Sequence, residues 1–100
     1  MKIVQEEIFG PVPCIIPYQG EDEAIRIAND TIYGLHAFIS SLNIENAKKM
    51  VASIDSGRIA INGFKHDPIA PFGGFKQSGL GREFGYYGME SFLETKAILC

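Results

Sequence analysis

Two adjacent carboxylates near the start of the chain, Glu6 and Glu7, precede an aromatic ring at Phe9. In an extended backbone, residues two apart project to the same side, so the Glu7 carboxylate and the Phe9 ring would face one ligand. A carboxylate can accept two hydrogen bonds from a ribose diol, and an aromatic ring can cover a planar heterocycle. The pattern is compatible with a nucleotide contact, although a solvated acid beside a core phenylalanine is the commoner meaning of such a pair.

A second candidate is the glycine-rich segment PFGGFKQSGLGREFG at residues 71–85. A phosphate-binding P-loop requires the sequence Gly-Lys-Ser/Thr, but here Lys76 follows a phenylalanine and precedes Gln77. The dinucleotide-binding fingerprint also fails, because Phe84 stands where its third glycine is required. We therefore expect a tight structural loop that leads into a helix, and not a phosphate cradle.

Four further side chains could ligate zinc or form a nucleophile–base pair: Cys14, Cys100, His36 and His66. Their separations along the chain are wide, and no two form the close pair that structural zinc sites favour. A pairing of Cys14 with a histidine lacks a third group to orient the base. We therefore expect a buried Cys14, hydrogen-bonded histidines, no metal site and no catalytic residue in this chain.

Composition limits the kinds of partner. One hundred residues allow one small domain or a piece of a larger one, and 46% hydrophobic residues argue against disorder. The net charge is −3, with four basic and seven acidic groups in residues 1–50 and five of each in residues 51–100. No basic stripe or long apolar segment is present, so we expect neither nucleic acid nor a membrane as partner. The two cysteines and the acidic start, which does not resemble a signal peptide, favour the cytoplasm.

The elements that must position these residues alternate between two hydrophobic periodicities, which indicates an α/β chain. Short extended runs are predicted at residues 2–5 and 14–18. A helix with an acidic first turn is predicted at residues 22–29, and a strand at residues 35–40. The carboxylates and Phe9 would then lie between the first two runs.

A second helix is predicted after an N-cap at Asn43, because apolar residues recur at helical spacing. Gly57 stands where a left-handed residue would end this helix. A strand is predicted at residues 58–62 and an ordered loop at residues 63–79. The second half of the chain would thus continue the alternation of helices and strands.

The last part of the chain predicts a third helix and a closing strand. The helix covers residues 83–93, with Phe84, Tyr87 and Met89 among its buried side chains. Residues 95–99 (TKAIL) read as the strand.

Several motifs in a fixed order resemble the carboxy-terminal part of an NAD(P)-dependent aldehyde dehydrogenase, and the likeness runs through essentially the whole chain. They are EEIFGPV at residues 6–12, EDEAIRIAND at 21–30, YGL at 33–35, PFGGFKQSGLGREFGYYG at 71–88 and TKAIL at 95–99. The resemblance implies an α/β fragment of the catalytic domain over residues 1–94 and an oligomerisation strand in residues 95–100. It also implies a homo-oligomer.

The same resemblance implies roles for individual residues. Glu7 would hydrogen-bond the nicotinamide ribose, Phe9 would contact the nicotinamide ring, and Phe72 would lie beside the substrate tunnel. The loop at residues 63–70 would help to shape the preference for the aldehyde. NAD or NADP would be the cofactor of the intact enzyme, and a small aldehyde its substrate, oxidised to a carboxylic acid.

The nucleophilic cysteine and the general-base glutamate of the family lie upstream of EEIFGPV, and Cys14 and Cys100 do not occupy the nucleophile's motif. We therefore expect the isolated chain to bind no cofactor and to be inactive. Two alternatives remain: a non-enzymatic remnant that associates with itself, and a small module that binds a nucleotide or a dehydrogenase subunit.

Overall fold

The computed structural model describes all 100 residues as short helices and strands joined by ordered loops. In chain order they are α1 (Lys2–Gln5), α2 (Glu21–Asn29), β1 (Tyr33–Gly34), β2 (His36–Ile39), α3 (Ile44–Val51), β3 (Arg58–Ile61), β4 (Phe75–Lys76) and α4 (Gly85–Glu90). The predicted α/β class is therefore confirmed. No helix is long and apolar enough to cross a lipid bilayer.

The centre of the fold is a β2–α3–β3 unit. The two strands are parallel and in register, with His36 opposite Arg58 and Phe38 opposite Ala60. A parallel pair requires a crossover connection, which α3 supplies here. Ala47 of this helix is 1% exposed, and it is the one hydrophobic residue that the chain buries fully.

The start of α3 is fixed by its N-cap, as predicted. The Asn43 side-chain Oδ1 accepts a hydrogen bond from the Asn46 backbone N–H at 3.0 Å, which satisfies one of the free donors of the first turn. Its end differs from the prediction, because the helix stops at Val51 and Ala52 is right-handed rather than left-handed. Gly57 is therefore not the residue that ends α3.

Gly57 is needed for a different reason. A Cβ built on it would collide with the carbonyl oxygen of Gly73 and would lie 3.1 Å from Cα of Gly74. The backbone entering β3 and the glycine-rich loop thus touch each other directly. Glycine is required there for close approach, not for a positive φ.

The second sheet pairs β1 with β4 in antiparallel fashion, with Tyr33 opposite Lys76. The Lys76 ammonium donates to the carbonyl oxygens of Asn29 at 2.8 Å and Thr31 at 3.2 Å. It also lies 3.7 Å from the Asp55 carboxylate. One side chain therefore joins the end of α2, the start of β1 and the turn after α3.

Three predicted elements at the ends of the chain are wrong for this monomer. Residues 2–5 form one turn of helix instead of an extended run, and residues 14–18 form no strand. Residues 95–99 also form no strand, because no other strand of the chain lies beside them to supply backbone hydrogen bonds.

The third helix is shorter than predicted, and its apolar side chains are not buried. Phe84 precedes the helix and is 43% exposed, while Tyr87 and Met89 are each 58% exposed. The side chains needed to cover them are not supplied by this chain. Cys14, predicted to be buried, is exposed as well.

The chain is extended and buries little apolar surface. Its radius of gyration is 17.0 Å, whereas a compact domain of this length has a value of about 13 Å. Leucines at positions 42 and 80 are essentially fully exposed. An exposed apolar surface of this extent is typical of a segment that packs against other protein.

Candidate functional site

A groove of about 650 Å³ runs between α1, the β1–β2 segment and the turn after α3. We call it the central groove. Its polar lining comes from four parts of the chain: Gln5, Glu6, Glu7, Thr31, Tyr33, His36, Asp55, Ser56, Gln77 and Ser78. The Ser78 hydroxyl accepts a hydrogen bond from the Gly34 backbone N–H at 2.9 Å, which ties the floor of the groove to the β4 side. The groove therefore brings together carboxylates, an imidazole and hydroxyls from separate parts of the chain.

The Glu7–Phe9 pair lies at the end of this groove. Both residues line an adjoining depression of about 550 Å³ and are exposed, Phe9 to 92%. Helix α1 ends at Gln5, Glu6 has an extended backbone, and Phe9 has a positive φ of 53° that turns the chain. A positive φ is uncommon for a bulky residue, so this ring is held outward by a defined bend. An accessible carboxylate beside an uncovered ring suits a ribose and a planar heterocycle.

Phe72 lies elsewhere, on the β2–β3 unit. Its backbone pairs with Glu83, donating to the Glu83 carbonyl at 2.8 Å and accepting from the Glu83 N–H at 2.6 Å. Its ring centroid lies 6.2 Å from that of His36 and 6.0 Å from that of Phe84. His36 also lines the central groove, so this residue belongs both to the groove and to the surroundings of Phe72.

Phe72 belongs to a cluster that the sequence analysis did not identify. In the parallel register, His36 and Phe38 of β2 lie beside Arg58 and Ala60 of β3, so all four share one face of the sheet. Phe64 from the following loop also meets this face, with its ring 5.8 Å from His36 and 6.4 Å from Phe38. We call the set His36, Phe38, Arg58, Phe64 and Phe72 the aromatic face.

The signal for the aromatic face is present in the sequence. Aromatic residues alternate in HAFI and a cation opens RIAI, while the intervening positions are aliphatic. Strand alternation therefore divides the sheet into an aromatic face and an aliphatic one. The aliphatic one matches the apolar stripe of α3, which contacts β3. Only the pairing register, which the sequence does not give, joins the two strands into one surface.

The glycine-rich loop holds a cation of its own. The Arg82 guanidinium donates to the carbonyl oxygens of Gly74 at 3.1 Å and Gly81 at 2.6 Å, and lies 5.5 Å from the Phe75 ring centre. Inward-facing carbonyl oxygens around an arginine do not form a cradle for a phosphate. Arg82 therefore ties the two ends of the Gly74–Gly81 stretch together.

The zinc candidates do not converge. Cys14 and Cys100 are exposed free thiols, and the Cys14 Sγ contacts the Ile3 carbonyl oxygen at 3.5 Å. The His36 ring stacks on Phe38, and the His66 ring lies edge-on to Phe84. No three histidine, cysteine, aspartate or glutamate side chains are grouped so as to hold a metal ion.

Comparison with known proteins decides the family. The model of the aldehyde dehydrogenase family matches residues 1–98. The chain belongs to the aldehyde dehydrogenase family. It is 54% identical over 99 residues to a 3-succinoylsemialdehyde-pyridine dehydrogenase of a Pseudomonas species. It is 55% identical over 98 residues to a putative aldehyde dehydrogenase of Staphylococcus haemolyticus.

Solved aldehyde dehydrogenases have the same fold over this segment. A Pseudomonas syringae aldehyde dehydrogenase C mutant in complex with NAD+ and octanal matches 98% of the chain, with TM-score 0.93 and 51% identity. A Mycobacterium tuberculosis aldehyde dehydrogenase in complex with NAD+ matches 92%, with TM-score 0.88 and 49% identity. A Staphylococcus aureus betaine aldehyde dehydrogenase in complex with NAD+ matches 96%, with TM-score 0.92 and 45% identity.

The chain is much shorter than these relatives. It covers 21% of each of the two curated dehydrogenases and 20% of the Pseudomonas syringae protein. The resemblance noted in the sequence is thus confirmed for the family and for the fold of this part of it.

Proposed function

We propose that this chain is the carboxy-terminal segment of an NAD(P)-dependent aldehyde dehydrogenase whose intact form oxidises an aldehyde to a carboxylic acid. The observation that carries the proposal is the match of 98% of the chain, at TM-score 0.93, to a dehydrogenase in complex with NAD+ and octanal. The segment would position cofactor and substrate rather than perform bond chemistry itself.

In this proposal Glu7 and Phe9 hold the nicotinamide end of the cofactor. The exposed Glu7 carboxylate accepts hydrogen bonds from the ribose hydroxyls, and the outward Phe9 ring covers one face of the nicotinamide. The cofactor supplies a hydride acceptor when bound. Fixing the ring in one orientation lowers the entropy cost of hydride transfer.

Phe72 then forms a wall for the aldehyde. The antiparallel pairing with Glu83 fixes its backbone, and contacts with His36 and Phe84 fix its ring. A ring held on both sides excludes water from the aldehyde's path and gives apolar contact to the substrate chain.

The proposal assigns no nucleophile to this chain. Cys14 and Cys100 are exposed, and no general base contacts either thiol. We therefore expect the isolated chain to give no turnover. Because both cysteines are free thiols, we also propose that the protein resides in a reducing compartment, the cytoplasm. Incubating the purified 100-residue chain with NAD+ and octanal and following NADH absorbance tests this. Steady NADH formation that depends on aldehyde would contradict it.

The cofactor assignment is tested in a full-length aldehyde dehydrogenase that carries this segment. Glu7→Gln removes the charge that strengthens the hydrogen bonds to ribose. We expect the KM for NAD+ to rise by about tenfold, since a hydrogen bond to a charged group is worth roughly 1.5 kcal/mol or more. Glu6→Gln, on the neighbouring carboxylate, is the control and should leave this KM within about twofold. A raised KM in Glu6→Gln with an unchanged KM in Glu7→Gln would instead indicate that Glu6 contacts the ribose.

A second candidate function is self-association, which the exposed apolar side chains favour. It does not exclude the first, because dehydrogenase subunits and isolated segments can both associate through apolar surface. A third candidate, a module that binds nucleotide by itself, is tested by calorimetric titration of the isolated chain with NAD+. Micromolar affinity would support it, whereas no heat at millimolar cofactor would exclude it.

A further inference from the structure

Among these 100 residues, none supplies a counter-ion to Arg58, the cation of the aromatic face. Its guanidinium carbon lies 5.6 Å from the ring centre of Phe72 and 5.8 Å from that of Phe64. No carboxylate of the chain lies within 4.0 Å of it, and its guanidinium donates no hydrogen bond to the chain. By contrast, Lys76 and Arg82 have carbonyl partners.

The position of Arg58 is fixed by the sheet. Its backbone N–H donates to the Leu35 carbonyl at 3.1 Å, and its own carbonyl accepts from the Ser56 hydroxyl at 3.3 Å. The cation–π contacts hold the side chain against the two rings. Such a pre-organised guanidinium loses little further freedom when it binds a ligand.

Rings that contact a guanidinium leave its N–H donors available. Arginine has five such donors in a planar fork that matches both oxygens of a carboxylate. A hydrogen bond from a guanidinium to a carboxylate is charge-assisted and therefore stronger than a neutral one. Arg58 thus has the properties of a receptor for one carboxylate.

We propose that Arg58 binds a carboxylate at the far end of the aldehyde substrate, so that the intact enzyme prefers aldehydes that are also carboxylic acids. This inference rests on the proposed function, in which Phe72 forms the wall of the aldehyde site. Since the guanidinium touches the Phe72 ring, a substrate lying along that ring reaches the cation with its other end. Arg58 is the one arginine or lysine of the aromatic face, and its single positive charge matches a carboxylate better than a phosphate, which carries more charge.

The test uses a full-length aldehyde dehydrogenase carrying this segment. Its substrates are succinate semialdehyde and glutarate semialdehyde, each compared with its uncharged methyl ester. The measured quantity is the ratio of kcat/KM for the acid to kcat/KM for the ester. We expect a ratio well above one that falls by about 10- to 100-fold in Arg58→Gln, the range for one charge-assisted contact. Arg58→Lys should recover only part of it, because an ammonium lacks the fork.

A matched control is Arg26→Gln, which removes an exposed arginine of α2 whose partner is Glu23 on the same helix. It should leave the ratio unchanged. An acid-to-ester ratio near one, or a ratio that is unchanged in Arg58→Gln, would overturn the inference about Arg58. Oxidation of the esters would still support the proposed function in that case. Oxidation of no aldehyde would overturn the proposed function itself. An Arg58-dependent preference for glyceraldehyde 3-phosphate over both semialdehydes would overturn the choice of carboxylate.

Discussion

At the scale of single residues, Gly57 allows the backbone entering β3 to contact the glycine-rich loop directly, because it has no Cβ. Gly57→Ala would push a methyl group into the Gly73 carbonyl and against Gly74. Because both neighbours are backbone atoms, we expect the free energy of unfolding to fall by about 1–3 kcal/mol. Urea denaturation followed by circular dichroism measures this. Gly10→Ala is the control, since a Cβ there meets nothing within 4 Å, and it should change stability by less than about 0.5 kcal/mol.

The residues of the site differ in how far the sequence predicts them. Glu7 and Phe9 are two residues apart in the chain, so their proximity follows from local spacing. Phe72 is recognisable through the family motif, but its contact with His36 depends on tertiary pairing. Arg58 was not singled out in the sequence, because its contacts depend on the strand register and on the Phe64 ring of a loop. A sequence pattern thus predicts contacts between residues that are close in the chain, whereas the aromatic face forms only when the two strands and the loop pack together.

At the scale of elements, the N-cap of α3 is a local device with a measurable effect. Asn43→Ala removes the acceptor for the Asn46 N–H. We expect a loss of about 1 kcal/mol in the free energy of unfolding, with most of it recovered by Asn43→Ser. Lys49→Ala on the exposed side of the same helix is the control, because lysine and alanine have similar helix propensities. Equal stability of the Asn43→Ala variant and the parent chain would contradict the assignment.

A second element-scale prediction concerns the junction at Lys76. Lys76→Met keeps the length of the side chain but removes the donors to Asn29 and Thr31 and the charge near Asp55. We expect unfolding to become easier by about 1–3 kcal/mol, because carbonyl acceptors lose a charged partner. Lys65→Met, an exposed lysine of the loop, is the comparison. If both substitutions have the same effect, Lys76 does not join these elements.

The elements that the sequence predicts well carry their own signals. Helices α2 and α3 have acidic first turns or caps, and strands β2 and β3 have alternating patterns. Helix α2 and the two strands were therefore placed within a residue or two, and so was the start of α3, whereas the end of α3 was not. The predicted strands at residues 14–18 and 95–99 have suitable composition but no partner in the chain. A strand is defined by its hydrogen-bonding neighbour, and composition alone cannot supply one.

At the scale of the whole molecule, the exposed apolar surface should drive association of the isolated chain. Only 5 of its 100 residues are buried. Burial of apolar area is the main favourable term in association, and it strengthens in salts such as sulfate. We therefore expect light scattering to find a dimer or larger species, with the mass rising when sulfate is added. A monodisperse monomer under both conditions would contradict this.

The closing segment makes the mode of association testable. Ile98 is 81% exposed, and residues 95–99 have free backbone donors and acceptors that a strand of a second copy could pair with. Ala97→Pro removes a donor and blocks such pairing, so we expect it to lower the average mass of the assembly. Ile98→Gln and Leu80→Gln distinguish association through residues 95–99 from unspecific hydrophobic association. Both remove an exposed apolar side chain, but only Ile98 lies in the closing segment. If Leu80→Gln lowers the mass as much as Ala97→Pro, the association is unspecific; if only the two segment variants do, residues 95–99 form the subunit contact.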